Sequence, residues 1–400
     1  MNNKVKIISL SGVPVSGKST VINGIKSRLI ENGELEENIH IITAGQMFRE
    51  YFNKIMQIVK NIDNEEKLRE LATDKDINRI FSAKEYRHRI ENAIAELKVK
   101  GFDPDKFDIE SANNDQCLHI FREIIDDIID GDIKLLGKDI LKRNNSNETW
   151  LIDSRLAFMH IPESFAVRFI VDSNIAAKRL LKDKDTRGNE DNKYNTLEEA
   201  EEKVKKRTKG EIERFKEKYG VDLSDEDNYD LIIDTSYSDV KDAVDTVLIC
   251  EELYRNGKNF TKNWTSPKKL LPTQTERDTI AKGSYVTLDE MLSILKNKGY
   301  DPEEAICVSE YQNNKYILDG HHRNFASAVL KKTLVPFFVY ESDKSDDEKI
   351  RKKAIDQGEH LQKKYLYGHE AFFDDGDNIF SYRELYPEVF KNIEKNSEGR

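Results

Sequence analysis

Gly12-Val13-Pro14-Val15-Ser16-Gly17-Lys18-Ser19 decides the fold of this chain. A glycine, four residues and then Gly-Lys-Ser is the pattern of a loop that wraps a phosphate. The flanks agree with it. Residues 5–10 are an apolar run that reads as a buried strand, and Ile22, Ile25 and Leu29 recur at helical spacing after the loop. Gly12 and Gly17 let the backbone curl with its N–H groups inward, and those donors with the helix N-terminus cradle a polyphosphate. Lys18 brings a point charge to the outer phosphates and Ser19 a hydroxyl for Mg²⁺, while Val15, Ser16 and Thr20 complete the cradle. The bland alternative is a glycine turn with no ligand. The length of the match and its strand–loop–helix setting favour a bound nucleoside triphosphate.

Working outward, residues 39–42 read as a second buried strand that runs into Thr43-Ala44-Gly45-Gln46-Met47-Phe48-Arg49. From there to about residue 147 the chain is charged and mostly helical, most clearly over residues 77–97 and 118–129. Residues 150–153, 166–171 and 229–233 read as further strands with helices between them. This alternation predicts an α/β fold, a parallel sheet with helices on its faces. Residues 196–219 read as a helix opened by the capping pair Thr196 and Glu199 and closed by Gly220. On it Lys203, Arg207, Gly210 and Arg214 line one face, which reads equally as a solvated charged face or as a cationic surface with room beside it.

The bulk properties narrow the classes. The chain has 400 residues, of which 35% are charged, and a formal net charge of −11. That length predicts more than one domain, and that charge disfavours nucleic acid or an anionic membrane as a partner of the whole chain. No apolar run approaches a membrane span and the start lacks a signal-peptide core, so a cytoplasmic location is expected. Cys117, Cys250 and Cys307 are scattered, as reduced thiols are. The organisation expected is a kinase-like domain over residues 1–254 with a helical acceptor region at about 46–148. A linker over 255–269, a smaller unit over 270–345 and a charged, aromatic extension over 346–400 follow it.

Phosphoryl transfer asks for in-line positioning and for cations around the moving group. Asp153 ends a buried strand, where a carboxylate holds Mg²⁺ directly or through water. Arg155 follows at the carboxyl edge of the sheet, the edge at which ligands sit in open α/β folds. Arg49 lies just past the second strand on that same edge. Arg187, Arg207 and Arg214 lie in and after a polar segment, residues 183–195, with the character of a mobile lid. Taken singly, each arginine reads as a surface charge, and their shared placement points to a site.

This segment resembles the cytidylate kinases. The matching pieces are residues 12–20, Thr43-Ala44-Gly45 with Phe48-Arg49, Ile152-Asp153-Ser154-Arg155-Leu156-Ala157, and Lys178-Arg179-Leu180. Arg207, then the block from Arg214-Phe215-Lys216 to Asp222, and Asn228-Tyr229-Asp230 through Asp234-Thr235-Ser236 complete the match. The resemblance implies a P-loop nucleoside-monophosphate-kinase-like fold that moves a phosphoryl group from ATP to CMP or dCMP with Mg²⁺. In it Lys18 and Ser19 serve ATP and Mg²⁺, and Arg49 and Arg155 grip the acceptor phosphate. Arg179, Arg187, Arg207 and Arg214 close over the transferring group. Ser154 stands where the family has glycine, and residues 51–147 align with nothing in it.

In the second unit Leu318-Asp319-Gly320-His321-His322-Arg323 stands between a short strand, residues 316–319, and a helix, residues 324–332. Asp319-Gly320 reads as a turn. His321, His322 and Arg323 then lie at a helix N-terminus, with a cationic fork suited to phosphate. Capped structural histidines are the alternative. The unit resembles the ParB/sulfiredoxin-like α+β fold, and its Asp-Gly-His-His-Arg form resembles the branch that phosphorylates free L-serine with ADP or ATP. The resemblance implies Glu276 as the base for the serine hydroxyl, and Asp319, Gly320, His321, His322 and Arg323 as nucleotide- and Mg²⁺-handling residues. The cysteine that sulfiredoxins carry in this loop is missing. Taken together, the expectation is a CMP or dCMP kinase joined to a serine kinase. The alternatives are a small-molecule kinase with a purely ligand-binding second unit, and a CTP-responsive regulator. No membrane partner is expected, and the oligomeric state is left open.

Overall fold

The computed structural model describes residues 5–61, 64–71, 73–82, 84–99, 115–145, 147–187, 196–271, 288–311 and 314–340. Within them lie ten strands and twelve α-helices, and the strands form one mixed, mostly parallel sheet. The apolar run at the start forms β1 (Lys6–Gly12), and the phosphate loop leads into α1 (Lys18–Glu31). Then come β2 (Ile39–Thr43), five helices, β3 (Thr149–Asp153), the short α7 (Ala157–His160) and β4 (Phe165–Ile170). The first unit ends with α8 (Ser173–Arg187), α9 (Leu197–Tyr219), β5 (Leu231–Asp234) and α10 (Val240–Arg255).

β1 lies between β3 and β4, and β2, β3, β1, β4 and β5 are all parallel neighbours in that order. Parallel strands need both faces covered, and alternation along β1 shows how this chain covers them. Ile8 and Leu10 face a core with Val21, Ile22, Ile25 and Leu29 of α1 and with Ala243, Val244 and Val247 of α10. Ile7 faces the opposite core with Trp150 and Ile152, packed by α2 (Ala44–Lys60), α5 (Lys84–Val99) and α6 (Asp115–Arg143) through Phe52, Ile55, Ile90, Phe121 and Ile125. The chain connects leftward from β1 to β2 and crosses β1 on its way from β3 to β4. This opens a crevice at the carboxyl ends of β1 and β3, where open α/β sheets take their ligands.

The helical region is built differently from its sequence pattern. The described residues of 77–97 are helical, in α4 (Lys75–Ser82) and α5, and α6 is far longer than the apolar stretch at 118–129 that announced it. The helix at 197–219 has the expected ends. The Thr196 hydroxyl accepts from the Glu199 N–H at 3.2 Å, and Gly220 closes it with its N–H on the Lys216 carbonyl at 2.9 Å.

Residues 255–269, expected to be a linker, contain β6 (Asn263–Thr265) and a 3₁₀ turn, Pro267–Lys269. β6 pairs parallel with β5 and antiparallel with β10 (Val335–Val339), so the second unit extends the first unit's sheet. Trp264, at 5% exposure, belongs to the α1/α10 core, which is why this polar stretch is ordered. Beyond β10 lie β8 (Ile306–Tyr311), β9 (Asn314–Asp319) and β7 (Leu270–Leu271), with α11 (Leu288–Lys298) and α12 (His321–Val329) beside them. α12 opens three residues earlier than its apolar pattern, so His321, His322 and Arg323 form its first turn. Residues 341–400 and Glu276 lie outside the described residues.

Cys250 and Cys307 are free thiols. Burial pushes Cys250 up to about 12. Among the described residues no helix is long and apolar enough to cross a membrane.

Candidate active site

Phe169 on β4 shapes the phosphate loop from below. Its carbonyl accepts from the Val13 N–H at 3.0 Å, and a Cβ on Gly12 would stand 2.7 Å from that carbonyl and 2.9 Å from Ser16 Oγ. Only glycine fits there. The turn then passes through Val15 (φ 62) and Gly17 (φ 78), and α1 begins at Lys18. Left-handed backbone at a valine is costly and persists only where the surroundings impose it. Ser16 Oγ is buried with no hydrogen-bond partner, an unfilled polar position inside the loop. Ser19 and Thr20 are exposed on the first turn of α1. Gly12→Ala is expected to cost about 1–3 kcal/mol through overpacking. It should lower the unfolding midpoint in calorimetry and weaken ATP binding in the same sample.

The end of β3 delivers Asp153 to this loop. Its carboxylate is ion-paired with the Lys18 ammonium, and the two side chains are 9% and 16% exposed. Burial pulls Lys18 below the ordinary lysine value, Asp153 opposes that pull, and the nearby Arg155 adds to it. The pair thus stores a cation and a carboxylate at the mouth of the cradle. Lys18 suits an outer phosphate, and Asp153 with the Ser19 hydroxyl suits Mg²⁺, which takes one or two protein oxygens and completes its shell with phosphates and water. Clusters of three or more His, Cys, Asp or Glu able to hold a metal are absent among the described residues.

Beside the start of the loop opens a small cleft. Ser11, Gly12 and Val13 form one wall, and Arg155, Arg168 and Tyr229 stand with Thr208 and Glu211 of α9 around the rest. Arg155 Nη2 lies 2.8 Å from Glu211 Oε2, and Arg207 Nε lies 3.5 Å from Glu211 Oε1. Arg214 is ion-paired with Asp126 of α6 and lies over the Phe215 ring at 4.5 Å. Burial raises the Asp126 carboxyl, and Arg214 and Lys218 oppose this. Arg122 adds a further cation beside them. Desolvation together with the neighbouring Arg214 and Arg207 lowers its pKa. Arg155, Arg207, Arg214 and Arg122 are thus gathered around two carboxylates, Glu211 and Asp126.

A stretch of 63 residues, 14% of this chain and 33% of the relative, is 41% identical to a cytidylate kinase from Methanopyrus kandleri. Another match, 31% identical over 118 residues, covers 30% of this chain and 22% of an S-adenosylmethionine-dependent nucleotide dehydratase from Lacinutrix mariniflava. The chain therefore spans a third or less of the length of these curated relatives. No protein-family model matches it. The crystal structure of an uncharacterized protein from Eubacterium ventriosum is 16% identical, with a TM-score of 0.31, over 62% of this chain and 98% of that one. The chain is similar, in part, to enzymes of nucleotides.

The sequence-derived residues fall into three groups. Gly12, Val15, Ser16, Gly17, Lys18, Ser19 and Thr20 form the loop and the first turn of α1, Asp153 pairs with Lys18, Arg155 lines the cleft, and Arg207 and Arg214 lie on α9 against Glu211 and Asp126. Arg179 holds the loop from α8, donating to the Val15 carbonyl at 3.3 Å and to the Thr235 carbonyl. Arg49 is exposed on the second turn of α2, and Arg187 ends α8 with its side chain outside the described residues, as is the stretch 188–195. In the second unit Gly320 caps α12, His321 is buried, His322 is half-buried and Asp319 is exposed. Arg323 is not a free fork. It donates to the carbonyls of Ala305 at 2.9 Å and Glu304 at 3.3 Å, tying α12 to the start of β8. Sequence reasoning missed Glu211, although it stands four residues after Arg207 and three before Arg214 on the face already singled out. A lone acid among cations was the available signal.

Proposed function

We propose that this chain is an ATP-dependent phosphotransferase whose acceptor is a nucleoside monophosphate, CMP or dCMP. The observation that carries the reading is the cleft that joins the first residues of the phosphate loop to Arg155 and Glu211. A donor cradle on one side and a cation-lined acceptor space on the other is the arrangement in-line transfer needs. Arg155 suits the acceptor phosphate as a planar fork. Glu211, which accepts only, suits an amino or hydroxyl group of the acceptor. Arg207 and Arg214 suit the charge that develops on the equatorial oxygens. Mg²⁺, when bound with ATP, neutralises the β- and γ-phosphates. This chain's own residues supply the cradle, the pair Lys18–Asp153 and the orientation of the acceptor. The partial likeness to a cytidylate kinase and to a nucleotide dehydratase supports a nucleotide as substrate, and the kinase match supports cytosine as its base.

Calorimetric titration of the full chain with CMP, dCMP, UMP, AMP and GMP tests the acceptor. Binding is expected for CMP or dCMP and to weaken in Glu211→Gln. Equal binding of all five, or of none, would count against the cytidine assignment. Phosphorylation of free L-serine by the second unit, with ATP or ADP, rests on Asp319-Gly320-His321-His322-Arg323. It predicts O-phosphoserine in the wild type and in Lys18→Ala but not in His321→Ala. If mass spectrometry detects none in the wild type, the second unit is not a serine kinase.

A further inference from the structure

The stretch that joins the two units packs against the end of β5, beside the phosphate loop. Lys269, in the 3₁₀ turn after β6, places its ammonium 2.5 Å from Asp234 Oδ2 and 2.7 Å from Asp172 Oδ1. Asp234 ends β5, is 5% exposed, and has no free oxygen. Its Oδ1 accepts from the Ser236 N–H at 2.9 Å and from the Ser236 hydroxyl, and its Oδ2 accepts from the Thr265 hydroxyl at 3.2 Å as well as from Lys269. Both residues that complete this carboxylate from outside the first unit, Thr265 and Lys269, come from the stretch expected to be a linker.

What Asp234 fixes is Thr235. Its backbone N–H donates to the Ile170 carbonyl at 2.8 Å, and its hydroxyl lies between two acceptors, the Ser16 carbonyl at 2.8 Å and the Ile170 carbonyl at 3.0 Å. Its own carbonyl accepts from Arg179, whose other nitrogen donates to the Val15 carbonyl. Val15 carries the left-handed backbone of the loop, and Ser16 Oγ is the loop's unpartnered polar atom. A line of contacts thus runs Lys269, Asp234, Thr235, then Ser16 directly and Val15 through Arg179. The same turn is gripped from behind by α12, because Asn324 Nδ2 donates to the Pro267 carbonyl at 3.4 Å. Burial works against the Lys269 charge, and Asp234 and Asp172 outweigh it, so its pKa lies above the ordinary lysine value.

We propose that Lys269 is a positioning residue of the nucleotide site, through which the second unit holds the phosphate loop in its binding shape. The inference rests on the reading of that loop as an ATP site. It makes the second unit a structural component of the first unit's donor site, whatever the second unit itself binds. A left-handed valine is tolerated only while its surroundings enforce it, and the Thr235 and Arg179 contacts are that enforcement.

The test is calorimetric titration of Mg-ATP into the full chain, wild type against Lys269→Met, Lys269→Arg and Thr235→Val. Lys269→Met is expected to weaken ATP binding at least tenfold, and Lys269→Arg, which keeps a cation opposite both carboxylates, to restore it to within threefold. Thr235→Val, which leaves both side chains of the ion pair in place, is expected to give a similar loss in a folded protein. This covers the case in which Lys269→Met unfolds because Asp234 is left unpaired. ATP affinity unchanged in Thr235→Val would overturn the proposal, even with a loss in Lys269→Met. Wild-type protein that binds no Mg-ATP would overturn the reading of the loop itself, and this inference with it.

Discussion

Lys18→Ala is expected to lower kcat/KM for phosphoryl transfer by about 10³-fold, the scale of removing a preorganised charge from a site where charge develops. The loss has two sources that a second variant separates. Lys18 is the cation of the loop, and it is also the partner of Asp153, which is only 7% exposed. Deleting one member of a buried pair leaves an uncompensated charge and costs about 3–5 kcal/mol of stability. Lys18→Ala should therefore unfold earlier on heating as well as lose activity. Lys18→Arg keeps a cation opposite Asp153 and should recover most of the stability. It should not recover the rate, because a planar guanidinium does not replace a compact ammonium at a phosphate. Unfolding midpoints and steady-state rates on the three proteins check this. Recovery of the rate in Lys18→Arg would mean that the loop needs only charge at this position.

Arg155→Ala is expected to raise KM for the acceptor by about 10²-fold at saturating ATP, with KM for ATP changed far less. A hydrogen bond to a charged group contributes about 1.5–3 kcal/mol, and each 1.4 kcal/mol is a factor of ten. Arg155 faces the cleft from the carboxyl edge of the sheet and is held there by Glu211. Its loss frees Glu211, whose remaining cation, Arg207, stands at 3.5 Å on an exposed side chain. The freed carboxylate would then repel an acceptor phosphate, so Arg155→Ala should be worse than Arg155→Ala combined with Glu211→Gln. Initial rates with the acceptor varied test this. An unchanged acceptor KM would remove Arg155 from the acceptor site.

Strand, loop and first helix were legible because glycine spacing and apolar periodicity are local signals. Asp153 and Arg155 were legible for a related reason, since a polar residue ending an apolar strand marks the ligand edge of an α/β sheet. The cap Thr196 and the stop Gly220 were likewise written in adjacent residues. What escaped is what tertiary contact decides. Residues 263–265 carry one tryptophan among polar neighbours, and only the α1/α10 core makes a strand of them. Lys269 has no meaning until β6 lies beside β5 and brings it to Asp234. Arg323 has the chemistry of a phosphate fork, but the carbonyls of Glu304 and Ala305 were there to take it.

The most direct measurement of the central claim is product analysis by mass spectrometry after incubation of the full chain with Mg-ATP and a panel of nucleoside monophosphates. CDP or dCDP is expected to form in step with ADP, one for one, in the wild type and to vanish in Lys18→Ala. ATP consumed with no nucleoside diphosphate other than ADP, at the same rate with and without the panel, would contradict it.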